Sequence, residues 1–103
     1  MIEFTLESGL WCPFIFCDFC GKRIERAEEG NVEYRIIDPS PHFVHKRCML
    51  AFEYADGGAA NWFCDELGTF VLRLAINLDM GQVAGYDGIF TKIAIQGRLV
   101  TGL

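Results

Sequence analysis

Cys17 and Cys20 are separated by two residues, and after a further 24 residues His45 and Cys48 repeat the same separation. Two thiolates so spaced can face one ion across a tight turn, and a second pair can do so from the first turn of a helix. The spacing therefore predicts one structural zinc ion, Zn2+, held tetrahedrally by Cys17, Cys20, His45 and Cys48. Two substitutes for His45 stay open: His42, whose longer gap to Cys48 suits a helical turn less well, and Cys12, which would make the site all-cysteine. A thioredoxin-like redox pair at Cys17 and Cys20 would need a preceding strand and a helix starting at the first cysteine. Gly21 and the Pro/Phe-rich approach favour a zinc knuckle instead, with Gly21 at positive φ so that backbone N–H groups turn toward the sulfurs.

A chain of 103 residues is expected to form a single domain over 1–103, comprising a zinc-binding half of about 1–56 and a helical and C-terminal half of about 59–103. Its 51% hydrophobic content exceeds that of disordered chains, while charge and glycine interrupt every run long enough to span a membrane. Acids near the N-terminus, where a signal peptide would carry bases, predict a cytoplasmic protein. Five cysteines, an odd number, suit a reducing compartment with Cys12 and Cys64 as spare thiols buried like small apolar residues.

Ile2, Phe4 and Leu6 alternate with Glu3, Thr5 and Glu7, the pattern of a strand with one wet face that Gly9 ends. Residues 31–37 are rich in β-branched and aromatic types, and Asp38-Pro39-Ser40-Pro41 predicts the turn of a hairpin returning through His42, Phe43 and Val44. From His45 the period becomes helical: Cys48, Ala51, Phe52 and Ala55 share a face, and Gly57-Gly58 supplies the stop. Asn61 predicts the N-cap of a second helix over about 62–79, with Gly81 beyond it. Its stripe of Phe63, Leu67, Phe70, Val71, Leu74 and Leu78 is expected to pack on the zinc-module helix, with Trp62 covering an edge. In 82–103, glycines separate the apolar run 89–95 from Arg98-Leu99-Val100, consistent with short strands and a hairpin at Gln96-Gly97.

The segment from Cys17 to about Asp56, with Cys-x2-Cys-Gly, a hairpin and a helix opening on His-x2-Cys, resembles the treble-clef zinc fingers. The phrase Phe43-Val44-His45-Lys46-Arg47-Cys48 is also similar to a LIM-type half module, although the second ligand quartet of a full LIM domain does not follow. That resemblance implies a treble-clef module with ligands at Cys17, Cys20, His45 and Cys48 and covers only about residues 17–56; with the second amphipathic helix and short C-terminal strands read from the pattern packed on it, the expected fold is α+β. The resemblance hardly touches function, because treble clefs host DNA binders, adaptors and nucleases alike.

Net charge is −5, and three thiolates with one divalent ion make it more negative by one. Lys22, Arg23, Arg26, Lys46 and Arg47 flank the proposed ligands, but Asp18, Glu25, Glu28 and Glu29 interrupt them. The balance predicts a non-catalytic module that binds a protein partner or a second copy of itself, neither nucleic acid nor membrane. A nucleic-acid-binding regulator using the five bases, or a hydrolase built around His42, are the alternative readings.

Overall fold

The computed structural model describes residues 1–80, and the expected strands within 82–103 lie outside the described residues, as does Gly81. The chain opens with a two-stranded antiparallel ribbon, β1 (Ile2–Glu7) and β2 (Leu10–Ile15). Ser8 and Gly9 join the strands with φ of 49° and 83°, the pair of left-handed residues that a twist-matched two-residue hairpin requires. The alternation in β1 does make a strand, but its apolar residues are exposed rather than packed on a core. Pro13 hides β2 from a sequence reading, yet a two-stranded ribbon has an open edge on each strand and can hold a proline.

The main sheet has three antiparallel strands in the order β4 (Asp38–His45), β3 (Gly30–Arg35) and β5 (Phe63–Glu66). The hairpin turn falls at Ile36-Ile37, earlier than the Asp38–Pro41 turn that composition suggests. Pro39 and Pro41 instead lie within β4, an edge strand, where a missing N–H breaks no ladder on the outer side.

His45 ends β4 instead of opening a helix. A 3₁₀ turn at Lys46–Cys48 comes next, then α1 (Met49–Ala55), which stops before Gly57 and Gly58, both at positive φ. The tighter winding of the 3₁₀ turn rotates the phase of α1. Phe52 and Glu53 therefore face inward, while Ala51 and Ala55 are exposed.

The second helix begins later than Asn61 suggests. Asn61 belongs to a 3₁₀ turn and donates its side-chain amide back to the Gly57 carbonyl at 2.6 Å. Residues 63–66 are a strand on the free edge of β3, with Phe63 stacked on Tyr34 at 5.6 Å, and α2 runs from Leu67 to Asn77. This helix does not pack on α1, as the expected stripe would have it. Alternation along β3 and β4 puts Asn31 and His42 against α1, through Met49 and Phe52. Phe43 and Gly30 point to the opposite face, where Phe70 meets Phe43 at 5.8 Å and Leu67 presses on Gly30. The two helices thus cover opposite faces of one sheet. The buried cluster comprises Cys17, Ile24, Val32, Phe43, Val44, Cys48 and Leu67, so two of the proposed ligands are themselves core residues. Trp62 is buried against Phe52, His42 and Arg35. Among the described residues no helix is long and apolar enough to cross a membrane.

Candidate metal centre

Cys17 and Cys20 stand on the turn after β2, closed by a short ladder in which Cys17 N–H donates to the Lys22 carbonyl at 2.8 Å and Ile24 N–H to the Ile15 carbonyl at 2.8 Å. Gly21 supplies the reversal: its φ is +76° and its N–H donates to the Cys17 carbonyl at 3.0 Å. No atom crowds the position, so glycine serves backbone conformation there, not close packing. Asp18 then clamps the turn to β4. Its N–H donates to the Phe43 carbonyl at 2.7 Å and its carboxylate accepts the Phe43 N–H at 2.8 Å. This delivers the turn to the end of β4, where His45 sits, and the 3₁₀ turn brings Cys48 round to the same point.

The donor atoms of Cys17, Cys20, His45 and Cys48 all lie within 4.8 Å of one another. Neither His42 nor Cys12 joins them. Cys20 Sγ is 3.4 Å from His45 Nδ1, and His45 Nε2 is 3.2 Å from the Arg23 carbonyl oxygen. A carbonyl only accepts, so Nε2 carries the proton and Nδ1 turns a bare lone pair to the thiols. Three thiols and one imidazole are the donors of a closed tetrahedral zinc site, whose donor atoms need separations of roughly 3.5–3.8 Å. The quartet can hold a metal ion with only small closing movements.

The backbone is prepared for negative charge on sulfur. Burial pushes the Cys17 thiol up, but the N–H groups of Cys20, His45 and Phe19, each 3.4–3.5 Å from its sulfur, outweigh this and hold it at about 6. Cys48 is pushed up to about 11, first by burial and then by the neighbouring Cys17 and Cys20 sulfurs. Three thiolates this close repel one another, and a divalent cation among them relieves that repulsion.

The basic flank is largely neutralised. Arg23 pairs with Glu7 at 2.8 Å and Glu25 at 2.9 Å, Arg26 with Glu28 at 2.7 Å, and Lys46 with Glu66 at 3.2 Å. His42 lies against the Phe52 and Trp62 rings, apart from the quartet. Of the spare cysteines, Cys12 is half-buried and Cys64 is exposed as a residue, not buried as expected, although its thiol turns toward Met49 Sδ at 3.9 Å.

Two features escape sequence reading. Asp18 and the Arg23 carbonyl support the quartet through main-chain bonds, which no residue pattern announces. Glu33 stands where strand alternation predicts a wet face, yet α1 covers it. It is 0% exposed, both carboxylate oxygens lack a hydrogen-bond partner, and it is packed near the buried Glu53. Burial, then Glu53, raises its carboxyl to about 7. No protein-family model, curated protein or solved structure matches this chain significantly.

Proposed function

We propose that this protein is a small treble-clef zinc domain, with Zn2+ held by Cys17, Cys20, His45 and Cys48, that acts by binding another protein and not by catalysis. The convergence of four chain donors on one point carries the reading. With all four positions of a tetrahedron supplied by the chain, zinc there would have no place for a substrate or an activated water, and its contribution would be to folding. The order of knuckle, hairpin and helix, with the second ligand pair at the hairpin's end, supports the treble-clef assignment.

Protein is the favoured partner because the bases beside the centre are mostly engaged by acids and the net charge is −5. His42 is wedged among aromatic rings, and among the described residues its side chain hydrogen-bonds to no carboxylate or second histidine that could act with it in base catalysis.

Elemental analysis of protein purified without chelator is expected to return one zinc per chain, and none would overturn the metal assignment. At about 150 mM salt, labelled duplex, single-stranded DNA and RNA should bind no more tightly than roughly 10⁻⁴ to 10⁻⁶ M, the nonspecific range. Sub-micromolar affinity abolished by Lys46→Glu with Arg47→Glu would replace the protein-binding reading with the nucleic-acid one.

A further inference from the structure

The β1–β2 ribbon sorts its side chains onto two unlike faces. Cross-strand partners share a face, so the register places Ile2 with Ile15, Phe4 with Pro13 and Leu6 with Trp11 on one side. All six are apolar. Glu3, Thr5 and Glu7 take the other side, opposite Phe14, Cys12 and Leu10. That side is tied to the knuckle by Arg23, which binds Glu7 and stacks on Phe14 with its guanidinium 4.1 Å from the ring centre. The apolar side is turned outward: Ile2, Phe4, Leu6 and Trp11 are 60%, 66%, 54% and 68% exposed. At its base it runs into a groove of about 360 Å³ whose far wall includes Ile24, Leu67 and Val71.

We infer that this face is the contact through which two copies of the chain associate, ribbon on ribbon about a twofold axis. The inference rests on the protein-binding reading and gives it one partner, a second copy. Charge is the first argument. Two chains of net charge −5 repel across most of their surface, whereas this face carries no charge and meets itself without opposition. An acidic or basic peptide would find no counter-charge on it.

Area is the second argument. Phe4 and Trp11 alone, each two-thirds exposed, offer on the order of 200–300 Å². Ile2 and Leu6 on the ribbon and Val71 across the groove, all about half exposed or more, enlarge the face toward a small interface below the roughly 800 Å² per partner of the standard size, while Ile24 and Leu67 only floor the groove. Stacking also answers a local weakness, since an isolated two-stranded ribbon is marginal in water until its apolar face is covered. A twofold contact uses the same patch on both copies and closes at the dimer.

Sedimentation and light scattering of the zinc-loaded full chain from about 1 to about 200 µM, bracketing a modest interface, test this. The mass is expected to double within that range. Phe4→Glu and, separately, Trp11→Glu should stay at monomer mass with zinc content unchanged, because both side chains are exposed in the single chain. Glu3→Lys, on the opposite face, should still dimerise. A wild-type chain monomeric throughout overturns the inference, whether Trp11 is quenched freely or shielded by the chain itself. A dimer that both apolar-face variants leave intact overturns it too, as does growth beyond the dimer. A monomeric wild type that still binds a different protein would end only this inference and leave the broader reading standing.

Discussion

Among the described residues Cys17 is the one thiol that three backbone N–H groups address, and its burial in the core makes it structural whether or not it is ionised. Cys48 has burial without that support and depends on a cation to lose its proton. Removing it should therefore cost the binding energy of the ion as well as packing. Cys48→Ala is expected to lower stability by several kcal/mol and abolish zinc retention, while Cys64→Ala changes stability by under about 1 kcal/mol. Thermal melts with parallel metal analysis check both, and equal shifts would refute the ligand assignment. Glu33 gives a prediction about pH. Its folded pKa of about 7 lies above its ordinary 4.5, so the folded state holds the proton more tightly. The stability this contributes is complete below the ordinary value and is lost as pH rises through about 7. Glu33→Gln keeps a neutral side chain there and should gain on wild type by up to about 3 kcal/mol between pH 5 and pH 8. Urea melts of both proteins read that difference, and parallel pH profiles would show that the carboxylate is hydrated.

At the scale of elements, the approach of α2 to β3 is the contact most open to test. A Cβ on Gly30 would come within 2.7 Å of Leu67 Cδ2 and 3.1 Å of Ile24 Cγ2. Gly30→Ala should cost about 1–2 kcal/mol by overpacking, and Leu67→Ala about 2–5 kcal/mol by opening a cavity. The double variant should cost measurably less than the two effects together, because the smaller side chain makes room for the methyl. Strict additivity would mean that α2 packs elsewhere. This junction also shows what the sequence conceals. Phe63-Cys64-Asp65-Glu66 fits a helical stripe continuing to Leu67 as well as it fits a strand, and the choice is made by β3, some thirty residues earlier, whose open edge takes it up. The knuckle was legible because its ligands, its glycine and its turn are local. The position of the β3–β4 turn was not, because prolines that signal a turn in isolation are equally at home on an edge strand.

For the whole molecule, the candidate metal quartet draws its donors from three stretches of chain, the knuckle below the ribbon, the end of β4, and the turn into α1, so that an ion there would cross-link them. A strong chelator should therefore lower the melting temperature and broaden the transition, and restored zinc should reverse both. A chelator-insensitive melt would mean that the sheet and its two helices suffice. What stays outside composition is the ribbon, whose alternation announces a strand but not which face is covered.

The supports of the metal quartet are almost all main chain. Three amides serve Cys17, the Arg23 carbonyl serves His45, and even Asp18 reaches its target through the Phe43 N–H. Main-chain atoms are the same in every residue, so the identities of Phe19, Arg23 and Phe43 do not decide how the quartet is supported. The side chain of Arg23 is free to pair with Glu7 and Glu25 and to stack on Phe14. Such a quartet should tolerate substitution all around it, so long as its four donors, Gly21 and an acid at position 18 are kept, and the neighbouring surfaces can change without disturbing the convergence of the donors.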